Sequence, residues 1–252
     1  VLAGLLAPAG FAVPPAAEAP VVLVVGDSLS AAYGMEAGRG WVALLQGRIA
    51  ERGLPHQVVN ASISGDTTRG GVSRLPAALE RHRPALVVLE LGGNDGLRGV
   101  PLAETEANLA ALIERAQVAG AGVLLAGIQI PPNYGPAYTE RFRRIYPSLA
   151  ERYRVALVPF LLEGVAGEGA LMQEDGIHPR AEAQGRILDN VWAELEPLLT
   201  GEGTPSAEDT RPPATGRPIV GGDSGGPEGS GAPRAGPDPS ARRPGRAPEA
   251  PG

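Results

Sequence analysis

The run Val21-Val22-Leu23-Val24-Val25, with β-branched residues at four of its five positions, stops abruptly at Gly26-Asp27-Ser28. An all-apolar run this short suits a strand buried on both faces, as in a parallel sheet with helices above and below it. The residues just past such a strand lie at the C-terminal edge of the sheet, where connecting loops and helix N-termini converge on ligands. Ser28 is therefore a candidate nucleophile. Asp27 and Ser28 are equally suited to cap the helix that follows.

The same unit recurs down the chain. Strands are expected over 57–61, 85–91, 122–128 and 155–158, and helices near 41–52, after Thr67, after Pro101, over 136–153, and in a last segment carrying Ile187, Leu188, Val191, Trp192 and Leu195. In the first helix Trp41, Leu44, Leu45 and Ile49 fall at helical spacing, so Trp41 reads as core and not as a ligand platform. Pro101 suits the first turn of its helix. Strands alternating with helices over short connections imply a three-layer α/β/α sandwich with a five-stranded parallel sheet, because parallel neighbours need crossover helices.

Composition removes several chemistries. A net charge of -6 and a pI near 5.2 argue against a nucleic-acid partner. The sequence has no lysine, which excludes a lysine-bearing phosphate loop and a Schiff base, and no cysteine, which excludes thiol nucleophiles, disulfides and cysteine-held zinc. No apolar run reaches the roughly 18 residues of a membrane span. Gly38-Arg39-Gly40 loosely fits a dinucleotide fingerprint, but it stands too far from its strand.

Residues 1–19 combine an apolar run with prolines and a small-residue site at Ala17-Glu18-Ala19, which reads as the remnant of a signal peptide or leader and implies export to the periplasm or secretion. Residues 20–200 form the expected domain. Nearly half of 201–252 is Gly or Pro, without aromatics, so this tail is expected to be disordered. Within it, Gly222-Asp223-Ser224-Gly225-Gly226-Pro227 matches a serine-protease string and a nucleophile elbow. It lacks the strand and helix that give such a motif meaning, so it is read as chance.

The three histidines are not equivalent. His56 opens the second strand, at the end of the sheet away from Ser28, and His82 lies between Arg81 and Arg83, in expected solvent. His178 follows Asp175-Gly176-Ile177 and precedes Pro179, close enough to Asp175 for a hydrogen bond. A serine hydroxyl needs an imidazole to take its proton, and the imidazole needs a carboxylate to fix its tautomer. Donors for a tetrahedral oxyanion are on offer from the backbone of Ser28, the backbone of Gly65 in the loop 62–67, and the amide of Asn94 in the loop 92–96. Each segment taken alone is also an ordinary turn. A module that binds phosphate or a nucleotide at this edge without chemistry is the alternative, and it leaves Asp175 and His178 unexplained.

Gly26-Asp27-Ser28-Leu29-Ser30, Ser64-Gly65-Asp66-Thr67, Gly92-Gly93-Asn94-Asp95 and Asp175-Gly176-Ile177-His178-Pro179 resemble the four signature blocks of the SGNH, or GDSL, hydrolases. The longer strings at 59–67 and 89–99 look like the bacterial branch of periplasmic esterases described as acyl-CoA thioesterase, lysophospholipase and arylesterase. The resemblance covers about residues 21–198. It implies a flavodoxin-like fold, no metal or cofactor, and hydrolysis of small-molecule or lipid acyl esters and thioesters. Carried over by motif, Ser28 is the nucleophile, His178 the base and Asp175 its partner, while Ser28, Gly65 and Asn94 make the oxyanion hole. The loop after the fourth strand moves in that branch when an acyl chain binds, so Ile130 would touch substrate. The expected assembly is a monomer.

Overall fold

The computed structural model describes residues 18–201, so most of the leader, nearly all of the tail and the Gly222–Pro227 string lie outside the described residues. Within them, five parallel strands alternate with helices: β1 (Val21–Gly26), α1 (Trp41–Glu51), β2 (Gln57–Asn60), α2 (Thr68–His82), β3 (Leu86–Glu90), α3 (Gly93–Leu97), α4 (Leu102–Val118), β4 (Gly122–Ala126), α5 (Pro136–Tyr153), β5 (Ala156–Val158) and α6 (Gln184–Thr200). The sheet order is β2-β1-β3-β4-β5, every pair parallel. This is the flavodoxin-like order, and it puts a topological switch point at β1 and β3. The expected α/β class and sandwich are what the chain adopts.

Helices cover both faces: α1 packs against α6, while α2, α4 and α5 pack in succession on one another. Val22 through Val25 and Val87 through Leu89 are completely buried, as strands covered on both sides must be. Helix starts are capped either from within the segment or from a distant helix. The Thr67 hydroxyl accepts the Gly70 N–H at 3.3 Å to cap α2, and the Trp41 N–H at the start of α1 donates to Gln184 Oε1 at 2.9 Å, joining α1 to α6.

Three expectations need correction. Leu44 faces solvent, because the inner stripe of α1 consists of Trp41, Val42, Leu45 and Ile49. Pro101 precedes α4 as its cap and is not inside its first turn. The segment behind β3 is a short helix, not an open loop. Gly92 turns the chain at φ +116°, where a Cβ would lie 2.3 Å from the Tyr146 hydroxyl, and the Gly96 N–H then closes onto the Gly92 carbonyl at 2.9 Å.

Trp41 is wholly buried and is the largest of the fully buried side chains among the described residues. Trp41→Ala should cost about 3–5 kcal/mol of unfolding free energy, measured by urea denaturation of the Ser28→Ala background so that catalysis cannot influence the sample.

Candidate active site

The site forms where β1, β2 and β3 end. Register sets Glu90 beside Gly26, the last residue of β1. Beyond Gly26 the chain turns at once, with the Ala31 N–H on the Asp27 carbonyl at 2.9 Å and the Leu29 N–H on Asp27 Oδ1 at 3.0 Å, and this turn presents Ser28. The loop behind β2 continues along β1, the Ile63 N–H reaching the Gly26 carbonyl at 3.0 Å. Gly65 lies there at φ +79°, its carbonyl accepting from Arg98 Nη2 at 2.9 Å.

The base arrives from the long connection between β5 and α6. An antiparallel bridge joins Met172 to Pro179, and the Gln173 N–H donates to the His178 carbonyl at 2.7 Å, so the hairpin tip 174–178 is held at both ends. At that tip Gly176 has φ +67°, and Asp175 Oδ1 accepts the N–H groups of Ile177 and His178 at 2.9 and 3.0 Å. Its Oδ2 is 2.6 Å from His178 Nδ1, and His178 Nε2 is 2.9 Å from Ser28 Oγ. With a carboxylate at Nδ1, the proton belongs there, which leaves Nε2 to accept the serine O–H. Partial desolvation pushes the Asp175 carboxyl up, but the hydrogen bonds from the His178 ring and from the backbone of His178 and Ile177 outweigh it and bring the group down to about 2. The group is thus ionised throughout the neutral range.

Asn94, on α3, donates from Nδ2 to Asp27 Oδ2 at 2.9 Å. A carboxylate only accepts, so Asp27 dictates which end of the amide faces it and leaves the second N–H of Nδ2 available. Asp27 itself is 2% exposed, and its N–H donates to Glu90 Oε2 at 3.2 Å, an oxygen that also takes the Ser30 hydroxyl at 2.6 Å. Burial pushes Asp27 up to about 6 against the hydrogen bonds from Leu29 and Asn94. Burial and the nearby Asp27 hold Glu90 well above the usual carboxylate range. Arg74 secures the neighbouring loop: its guanidinium pairs with Asp66 at 2.6 Å, reaches the Gly26 carbonyl at 3.1 Å and bonds the Ala61 carbonyl.

A cavity of about 480 Å³ opens over these groups. Ser28, Asn94 and His178 line it together with apolar side chains that include Leu29, Ile128, Ile130, Phe160, Met172 and Ile177. Ser28, Asp175, His178 and Asn94 therefore come together as the sequence suggested, and Ile130 is a wall of the cavity. Gly65 stands at the same edge, outside the lining of that cavity. His56 sits at the opposite end of the sheet, just ahead of β2. His82 ends α2 half-buried and not in open solvent. The structure adds Asp27, Glu90, Arg74 and Gln173 to the site. Asp27 stands in the first signature block and Glu90 is the one charged side chain in an otherwise apolar strand, whereas Arg74 and Gln173 carry no sequence signal.

The comparisons with known proteins converge. The family model described as GDSL-like Lipase/Acylhydrolase matches residues 24–186. Esterase TesA of Pseudomonas aeruginosa is 58% identical over 183 residues, covering 73% of this chain and 91% of its own length. The protein named Thioesterase 1/protease 1/lysophospholipase L1 of Escherichia coli K12 is 47% identical over 184 residues, covering 73% and 87%. Among solved structures, the crystal structure of TesA matches with 58% identity and a TM-score of 0.70, covering 71% of this chain and 99% of that one.

The buried acids make a pH prediction. An unfolded Asp27 releases its proton near its ordinary 3.8, whereas the folded one keeps it to about 6. Between those values the native state holds more protons, so this group lowers stability as pH rises from about 4 to 6, and its contribution levels off above. Glu90, also raised by burial, acts in the same sense. Asp27→Asn should therefore lose less stability than the wild type between pH 4 and pH 7 in parallel denaturant titrations. Equal losses in the two proteins would show that Asp27 is not the source.

Proposed function

The chain belongs to the GDSL-like lipase/acylhydrolase family and is an enzyme acting on ester and thioester bonds; from that premise we propose that it works through an acyl-enzyme on Ser28. His178 takes the serine proton at Nε2 as Oγ attacks the carbonyl carbon, and Asp175 holds the resulting imidazolium in place. The backbone N–H groups of Ser28 and Gly65 and the free N–H of Asn94 Nδ2 receive the oxyanion. As the tetrahedral intermediate collapses, Nε2 returns the proton to the departing alcohol or thiol. Water, deprotonated by the same imidazole, then attacks the acyl-enzyme and releases the acid and the free serine.

One observation carries this reading above the others. The unbroken sequence Asp175 Oδ2 to His178 Nδ1 at 2.6 Å and His178 Nε2 to Ser28 Oγ at 2.9 Å ends in a mostly apolar cavity. A phosphate or nucleotide ligand would find few donors on such walls, while an acyl chain would lose water against Ile128, Ile130, Phe160 and Met172. We infer a substrate class of medium and long acyl esters and thioesters, with Ile130 contacting the chain. The catalytic domain is taken as residues 20–200. The apolar, proline-punctuated residues 1–19 support export to the periplasm, and no helix among the described residues is long and apolar enough to cross a membrane.

Ser28→Ala should abolish hydrolysis of p-nitrophenyl acyl esters, acyl-CoA and lysophospholipid alike, together with labelling by a fluorophosphonate. Turnover at the wild-type rate would end the proposal. Asn94→Ala should lower kcat by about a hundredfold or more with KM little changed, because its amide is assigned to the transition state. A change confined to KM would remove it from the oxyanion hole.

A further inference from the structure

Tyr33 is 50% exposed, yet its ring lies against the His178 imidazole, with centroids 4.4 Å apart and planes inclined at 38°. Burial alone does not explain that position, since a ring left half in water gains only part of what full burial would bring. The backbone around it is held deliberately. The Tyr33 N–H donates to the Ser28 carbonyl at 3.2 Å, tying the ring to the nucleophile's own turn. Its carbonyl accepts from Gln173 Nε2 at 2.9 Å, and the same nitrogen reaches the Pro179 carbonyl at 3.1 Å. Because the Gln173 backbone N–H also donates to the His178 carbonyl at 2.7 Å, this one residue straps the Tyr33 turn to the loop that bears the base.

The flanking residues are consistent with close placement. Gly34 has φ +71°, which L side chains rarely adopt, and a Cβ there would lie 2.5 Å from Gln173 Oε1 and displace that amide. Ala32 adopts φ 59°, a left-handed conformation that an L-residue holds only where its surroundings over-determine it.

We propose that Tyr33 is a positioning residue for the hydrolysis: its ring keeps the His178 imidazole aligned between Asp175 and Ser28 and stabilises the imidazolium that forms when His178 takes the serine proton. The proposal rests on the reading of His178 as the base. A cation within about 6 Å of an aromatic centroid is drawn to the ring's quadrupole. Neutral imidazole feels little of this, so the attraction grows as the proton moves from Ser28 Oγ to Nε2 and disappears when that proton passes to the leaving group. Tyr33 itself exchanges no proton. The charged and titratable groups facing the imidazole are Asp175 from its own loop, Asp27 from the nucleophile turn and the Tyr33 phenol. Both carboxylates stay in place when Tyr33 alone is changed.

The test compares Tyr33→Phe with Tyr33→Leu. The phenylalanine keeps the ring face and should hold kcat within twofold of the wild type. The leucine removes it and should lower kcat about two- to fivefold with KM within twofold. Because the leucine lacks the ring face that favours the charged imidazole, the acidic limb of the kcat/KM profile should lie at lower pH in that variant than in Tyr33→Phe. Thermal midpoints should stay within a few degrees of the wild type. Wild-type kinetics and pH profile in Tyr33→Leu, an equal loss in Tyr33→Phe, or a loss matching only a reduced folded fraction would each overturn the proposal. If Ser28→Ala is inactive while Tyr33→Leu behaves as wild type, only the positioning role falls. Full activity of Ser28→Ala would remove the reading beneath it.

Discussion

Parallel pairing is the constraint from which the rest follows. Strands that run the same way cannot be joined by a tight turn, so each must return through a crossover, and every strand then ends on one rim. In the order β2-β1-β3-β4-β5, strand β1 has β2 on one side and β3 on the other. Their three ends therefore deliver Ser28, the Gly65 loop and Asn94 to adjacent positions. The base needs no strand end of its own, because the connection from β5 to α6 is long enough to fold back over the same rim.

That rim is where the chain sets aside the rules its core obeys. A carboxyl at Glu90 in a fully buried strand is costly, and a second carboxyl at Asp27 makes it more so. The return is geometric. Glu90 holds the Asp27 N–H and the Ser30 hydroxyl, Asp27 holds the Leu29 N–H and the Asn94 amide, and the nucleophile between them is left with little freedom. Left-handed Ala32 belongs to the same region. Buried carboxyls beside a left-handed alanine are what a preorganised site requires, and they are stable only because the surrounding core is ordinary.

Much of this was legible beforehand because its causes are local. Strand residues such as Val21–Val25 announce themselves by composition, α2 by its Thr67 cap, and the Asp175–His178 pair by a separation too short to need a fold. Where the reading failed, the cause was distant. Leu44 matches the helical period as well as Leu45 does, and only the packing of α1 against the sheet and α6 decides which of them faces inward. At Gly92, where the chain turns into the helix Gly93–Leu97, no side chain fits because the Tyr146 hydroxyl, some fifty residues away, lies where a Cβ would stand. Arg74 and Gln173 carry no motif at all, since their work is to accept geometry set by loops from other parts of the chain.

The sequence by itself determined the order of elements, the parallel sandwich and the kinds of side chain its loop tips would carry, because burial period, capping and turn chemistry act within a few residues. Only the tertiary structure decided that Ser28 and His178, 150 residues apart, stand at 2.9 Å. It also decided that Asp27 orients Asn94, and that Tyr33 leans on the imidazole. Such contacts depend on register and loop closure summed over the whole sheet, and no local stretch of residues contains that information.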